Sequence, residues 1–294
     1  MKLISFLRDG VPSYGAIEGG RVADFGAIAG PDEHDLVAAL RLGSIPALAA
    51  EAQFDVPLSQ VELLPVVTNP GKIFCVGHNY ETHRQETGRA KVGHPSIFTR
   101  FADTLTPHGG PIVRPTVSTS LDYEGELAIV IGKGGRHITE ADAMDHVAGF
   151  ACANDASVRD WQWHTQQFTP GKNFPSTGGL GPWLVTPDEI ADLPAVTVTT
   201  RLNGEVMQHA SLADLIFPLP TLIAYLSAFT PLSPGDLILT GTPGGVGAKR
   251  EPPVWMKAGD VVEVEITGVG LLKNTIVDEA LESVLKIMGV RFGG

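Results

Sequence analysis

Three acids spaced by two residues, Asp122, Glu124 and Glu126, stand at the entry to the apolar run Leu127-Ala128-Ile129-Val130-Ile131, and Asp155 follows a second apolar run, His146 to Ala153. Alternate residues of a β-strand point to one face, so this spacing predicts that the first three acids project together. Crowded carboxylates repel one another unless solvent screens them or a cation binds them. Hard divalent cations such as Mg²⁺ take oxygen ligands of this kind. Glu124, Glu126 and Asp155 together would make a facial site with room for water and substrate oxygens. The competing reading of the same residues is a solvated strand face, with Asp155 capping a turn.

Further candidates lie close by in sequence. Arg159, Gln162 and Lys172 follow Asp155 and supply a guanidinium, an amide and an ammonium, the donors that bind a carboxylate or an enolate oxygen. In Gly77-His78-Asn79-Tyr80-Glu81-Thr82-His83-Arg84-Gln85-Glu86 a helical conformation puts His83 and Glu86 on one face. A carboxylate holding one imidazole nitrogen leaves the other free to act as a base. An exposed helix pair has the same spacing. The segment from Pro234 to Gly247 reads as a strand entering a glycine-rich loop whose amides can approach a ligand, and it lacks the Lys-Ser/Thr ending of a nucleotide phosphate loop.

These residues need a scaffold. Short runs rich in Val, Ile and Thr dominate: Ile73 to Val76, Ser96 to Thr99, Leu127 to Ile131, Val147 to Ala153, Val196 to Leu202, Leu237 to Thr240 and Val261 to Ile266. Helical patterns are few, at Asp35 to Leu42, Tyr80 to Thr87, Glu140 to Asp145, Pro220 to Ala228 and Ile276 to Met288. The expected class is mainly β with a few helices (α+β), divided into a small N-terminal domain over residues 1–70 and a catalytic domain over residues 71–294. No strand–helix alternation supports a doubly wound nucleotide fold. A net charge of −12 makes nucleic acid an unfavourable partner. Prolines interrupt the most apolar stretch, Leu215 to Thr240, so no membrane helix is expected there. Only Cys75 and Cys152 occur, both in apolar strands, which suits buried thiols in a reducing cytoplasm.

Taken together, the stretches Gly77-x-Asn79-Tyr80 with His83-x-x-Glu86, Tyr123-Glu124-x-Glu126-Leu127, Asn154-Asp155-x-Ser157-x-Arg159-Asp160-x-Gln162, Gly181-Pro182-Trp183, Asn203-Gly204-Glu205-Val206, Thr240-Gly241-Thr242-Pro243-x-Gly245-Val246-Gly247 and Gly259-Asp260-Val261 resemble the fumarylacetoacetate hydrolase family, from about Gly71 to Asn274. The resemblance implies a β-roll or sandwich catalytic domain, a homodimer, and Mg²⁺ or Mn²⁺ held by Glu124, Glu126 and Asp155. It also implies that Lys172 and Gln162 lie beside the substrate, that Thr242 contacts its carboxylate, and that His83 and Glu86 sit on a segment ordering over the ligand. Where similar proteins often carry Ile-Phe-x-Lys, this chain has Ile97-Phe98-Thr99-Arg100. A guanidinium does not carry protons in water, so the role expected of Arg100 is contact with a substrate carboxylate. The leading expectation is hydrolytic carbon–carbon cleavage of an acylpyruvate-type 2-oxo acid, with His83 activating water and Lys172 stabilising the departing enolate. Decarboxylation of oxaloacetate, or hydratase, isomerase or sugar-acid hydrolase chemistry on a related 2-oxo acid, is the alternative. A non-catalytic ligand-binding member is the other class considered.

Overall fold

The computed structural model describes residues 1–280. Its main sheet runs in the order Phe54–Pro57, Arg21–Asp24, Val11–Glu18, Lys2–Arg8, Gly178–Val185, Val147–Asn154, Gly125–Ile131, Leu237–Leu239, Ile73–Gly77 and Ser96–Thr99. A second sheet has the order Glu205–Ser211, Thr197–Leu202, Val261–Ile266, Gly270–Asp278 and Pro111–Arg114. The fold is mainly β with mixed sheets, as the strand-rich sequence predicts.

The central strand Gly125–Ile131 is buried along its whole length because it is covered on both faces. Alternation sorts its side chains into two cores. Leu127, Ile129 and Ile131 join Phe150 and Cys152 against Val198, Val264, Ile266 and Leu272 of the second sheet. Ala128 and Val130 join Ala151 and Ala153 against Leu36, Val37, Ile45 and Leu48 of the two N-terminal helices, Leu36–Leu42 and Ile45–Glu51. Each fully buried Leu or Ile contributes roughly 1.5–3 kcal/mol by leaving water. The sheets approach so closely at the start of this strand that a Cβ on Gly125 would lie 2.0 Å from the Thr200 hydroxyl oxygen. Only glycine fits there.

Residues 1–70 build onto the same sheet. Lys2–Arg8 pairs antiparallel with Gly178–Val185, and Leu3 and Tyr14 share a core with Ala128 and Val130. The Gly178–Val185 strand that makes this join is absent from the sequence expectation, because its glycines and Pro182 weaken the strand pattern. Two expected helices need correction. Glu140 to Asp145 forms only a 3₁₀ turn at Ala143–His146. The stretch expected to begin a helix at Ile276 belongs instead to the strand Gly270–Asp278, where Leu272, Asn274 and Ile276 are buried at a period of two. The rest of that expected helix, beyond residue 280, lies outside the described residues. Among the described residues, no helix is long and apolar enough to cross a membrane.

Candidate active site

The strand carrying the acids is broken. Leu121–Asp122 pairs with Ser157–Val158, Tyr123 and Glu124 lie outside any strand, and the chain re-enters the main sheet at Gly125. The three acids therefore do not share one strand face, which corrects the expectation from spacing. The Asp155 N–H donates to the Glu124 carbonyl at 2.8 Å, which ties the two acids together at the strand ends. Ligand oxygens of Glu124, Glu126 and Asp155 converge within 4.8 Å of one another, and all three residues are buried.

Asp122 has a different task. Its carboxylate pairs with Arg159 Nε at 2.8 Å and accepts the Gly247 and Ala248 N–H groups at 2.8 and 3.0 Å. It thus fastens the glycine-rich loop to Arg159. A Cβ on Gly247 would lie 2.0 Å from the Val254 carbonyl oxygen and 2.7 Å from Asp122 Oδ1, so this approach requires glycine.

Three buried cations hold the acids together. Lys172 Nζ is 2.7 Å from both Glu124 Oε2 and Asp155 Oδ2 and 2.8 Å from the Asp155 carbonyl. Arg159 Nη1 is 2.7 Å from Glu124 Oε1, and Arg100 Nη1 is 2.6 Å from Asp155 Oδ1. Burial alone would raise the Glu124 carboxyl, but Lys172 and Arg159 outweigh it and hold the group well below the usual carboxylate range. Burial alone would likewise lower Lys172, yet Asp155 and Glu124 push it up, so it stays protonated. Glu126 forms no ion pair among the described residues and takes only the Gly241 N–H, at 2.7 Å. Burial, Asp155 and Glu124 push its carboxyl well above the ordinary range.

This donor set fits a divalent cation. It is three buried, converging carboxylates of hard oxygens, one of them strained by its neighbours' charge in a way that a cation would relieve. Counting Asp122, four carboxyl groups face three cations, and among the described residues Glu126 is the one without a cation beside it.

The cluster forms the floor of a cleft of about 180 Å³. Glu124, Glu126, Arg159, Gln162, Lys172 and Thr242 line it, as does His83 from the helix Glu81–Glu86. His83 Nδ1 is 2.7 Å from Glu86 Oε1, and Glu86 Oε2 accepts the Gly245 N–H at 2.8 Å, so the pair is locked to the glycine loop. Gln162 Oε1 accepts from Arg159 Nη1 at 2.9 Å. The Thr242 hydroxyl donates to the Gly125 carbonyl at 3.0 Å and accepts from Gln208 Nε2 at 2.8 Å. Arg159 Nη2 is buried with no partner.

Arg100 departs from its expected place. It lies behind Asp155, fully buried, and its remaining donors go to the Thr104 and Thr177 hydroxyls and the Ala156 carbonyl. It does not line the cleft. Its carboxylate contact is with Asp155, inside the protein.

Trp163 and Phe168, from the aromatic run Trp161 to Phe168 that the sequence marks as distinctive, also line the cleft, whereas His78, Arg89 and Lys249 carry no expectation from sequence. His78 has a left-handed backbone (φ 56°), uncommon outside glycine, and its ring stacks on His83 at 5.1 Å with 10° between planes. Burial, then the neighbouring His83 and Arg89, push its imidazole down to about 4. Its position inside the Gly77-x-Asn79 motif was the available signal.

Comparison with known proteins identifies the family to which the chain belongs. The family model described as fumarylacetoacetate (FAA) hydrolase C-terminal matches residues 72–277. The mitochondrial oxaloacetate tautomerase Fahd2a of Rattus norvegicus is 44% identical over 79% of this chain and 74% of its own length. Oxaloacetate tautomerase YisK of Bacillus subtilis is 43% identical over 74% of each chain. Among solved structures, the fumarylacetoacetate hydrolase of Exiguobacterium antarcticum superposes with a TM-score of 0.80 at 34% identity, covering 95% of this chain and 100% of the other. Maleylpyruvate hydrolase from Sphingobium sp. SYK-6, in complex with manganese(II) ion and pyruvate, gives 0.78 at 29% identity with the same coverage. A model matched over most of the length, with relatives well above 30% identity, makes this chain a member of the fumarylacetoacetate hydrolase family.

Proposed function

We propose that this protein is a divalent-metal-dependent enzyme that interconverts the enol and keto forms of oxaloacetate. The observation that carries the reading is His83. Glu86 holds one of its ring nitrogens, and the ring lines the same cleft whose floor is the acidic cluster. Kinship with oxaloacetate tautomerases supports a reading in which that base takes a proton from carbon rather than from water. Hydrolysis, the leading expectation from sequence, thereby yields to isomerase chemistry on a related 2-oxo acid.

Glu124, Glu126 and Asp155 would hold Mg²⁺ or Mn²⁺, which when bound supplies positive charge beside the 2-oxo group and its carboxylate. The chain's own groups do the rest. With Glu86 accepting the proton on Nδ1, His83 Nε2 is free to take a proton from C3 of the keto form and return it to the oxygen on C2. One C–H bond breaks and one O–H bond forms, with no water consumed and no CO₂ released. Lys172, kept protonated by Asp155 and Glu124, stabilises charge building on the C2 oxygen. Arg159 Nη2 is the donor left over for a substrate oxygen. We further read the chain as a homodimer in a reducing compartment such as the cytoplasm, on the family resemblance and the two buried thiols; sizing by light scattering tests the first point.

A second reading, acylpyruvate hydrolysis, is favoured by the same His83–Glu86 pair acting on water and by the likeness to maleylpyruvate hydrolase. The test is the decay of enol absorbance of oxaloacetate with Mg²⁺-loaded protein, with products followed by NMR. Faster enol–keto equilibration with oxaloacetate conserved supports the tautomerase. Pyruvate and CO₂ would identify a decarboxylase, and inertness toward oxaloacetate with cleavage of acetylpyruvate a hydrolase.

A further inference from the structure

We propose that Arg89 and Lys249 form a subsite for the distal carboxylate of a dicarboxylic 2-oxo acid, making this cleft selective for dicarboxylates over monocarboxylates. The inference rests on the 2-oxo acid reading above and adds the residues that choose among such acids.

The cations on the cleft floor are already engaged: Lys172 by Glu124 and Asp155, Arg159 by Asp122 and Glu124. Arg89 and Lys249 also line the cleft, are exposed, and have no acidic partner among the described residues. In a chain of net charge −12, two unpaired cations opening onto one small cleft require an explanation. A second carboxylate on the ligand supplies one.

Both residues stand on secured backbone. Arg84 donates to the Arg89 carbonyl, and the Arg89 N–H donates to the Arg84 carbonyl at 3.1 Å. The Arg84 guanidinium is itself neutralised by Glu81 through bonds of 2.9 and 2.6 Å. Arg84 therefore serves as an anchor, and Arg89 is left with its charge unspent. The Arg89 guanidinium lies 5.9 Å from the centre of the Phe168 ring, a cleft residue, which keeps it over the wall. Lys249 ends the turn Gly247–Lys249, whose first two N–H groups are fixed by Asp122. The next residue, Arg250, turns away to Tyr123 and the Met207 carbonyl. Glu124, Glu126 and Asp155, with a divalent cation bound, would hold the 2-oxo carboxylate end of a ligand at the cleft floor. The outward end then meets these two cations, which attract a carboxylate and give nothing to a methyl group.

Binding to full-length, Mg²⁺-saturated protein tests this by calorimetry with two probes, pyruvate and 3,3-difluorooxaloacetate, which carries both carboxylates but has no C3 hydrogen to transfer. Arg89→Gln and Lys249→Gln should each weaken difluorooxaloacetate by roughly three- to fivefold, and the double variant by about tenfold or more, as expected for part-exposed charge pairs on independent elements. Pyruvate should change by less than about twofold, and Arg89→Lys should restore most of the loss. The difference should shrink as salt screens the charges. If the double variant binds difluorooxaloacetate as wild type does, or loses both probes equally, the subsite is overturned even where oxaloacetate is still tautomerised. If the selective loss appears in a protein silent on oxaloacetate, the subsite stands and the tautomerase reading falls.

Discussion

Replacing Arg100 with Met removes a buried guanidinium that donates to Asp155 Oδ1 at 2.6 Å, the Ala156 carbonyl at 3.0 Å and the Thr177 and Thr104 hydroxyls at 2.8 and 3.2 Å. Breaking a buried ion pair from one side costs about 3–5 kcal/mol, because the remaining charge is left without its counter-ion. Asp155 keeps Lys172 at 2.7 Å, which places the expected cost near the lower end, about 3 kcal/mol. At roughly 2–4 °C per kcal/mol for a chain of this size, the melting temperature should fall by about 6–12 °C. Metal affinity should fall with it, since Asp155 loses the group that orients it. Differential scanning calorimetry at matched scan rate, with and without Mg²⁺, together with the Michaelis constant for oxaloacetate, gives the answer. A variant with an unchanged melting temperature and metal affinity but a raised KM would refute the structural role and return Arg100 to the substrate contact expected from sequence.

Glu86→Gln should slow turnover by about 100-fold with little change in metal affinity by titration. The amide can still accept from Gly245 but presents an NH₂ to His83 Nδ1, which shifts the ring proton to Nε2 and removes the base. Glu126→Gln replaces a carboxyl that burial, Asp155 and Glu124 push up, so the metal-free protein should melt no lower than wild type. The same variant should lose the Mg²⁺-dependent stabilisation, about 2.7 kcal/mol at a hundredfold excess over Kd in the wild type; a variant that retains it would exclude Glu126 as a ligand. His78 has its imidazole pushed from an ordinary 6.5 down to about 4, so between those pH values the unfolded chain binds a proton that the folded chain refuses. This makes stability fall as pH drops through that window, a slope that His78→Asn, which tolerates the left-handed backbone, should flatten in urea titrations. An unchanged slope would mean that His78 titrates normally.

The acidic cluster of Glu124, Glu126 and Asp155 was legible from sequence because two acids entering one apolar strand and a third ending another state both the burial and the charge conflict. His83 and Glu86 were legible because a helical turn alone brings i and i+3 together. Most strands announced themselves through Val, Ile and Thr at period two, whereas the Gly178–Val185 strand, which joins residues 1–70 to the main sheet, did not. Its glycines reflect close approach by distant groups, such as the Arg100 guanidinium 2.8 Å from where a Gly178 Cβ would stand, and such contacts leave no local pattern. For the same reason the sequence could not tell Arg100 from Arg159. One guanidinium reaches Asp155 from behind and the other lines the cleft, a difference set by which side of the acidic cluster each strand end meets. Asp122 fits an acid ladder by spacing, and only the break at Tyr123-Glu124 turns it away to Arg159 and the glycine loop. Residue types and local period thus determined the chemistry available to this protein, while long-range packing decided which charges neutralise one another and which, as at Arg89 and Lys249, are left facing the cleft.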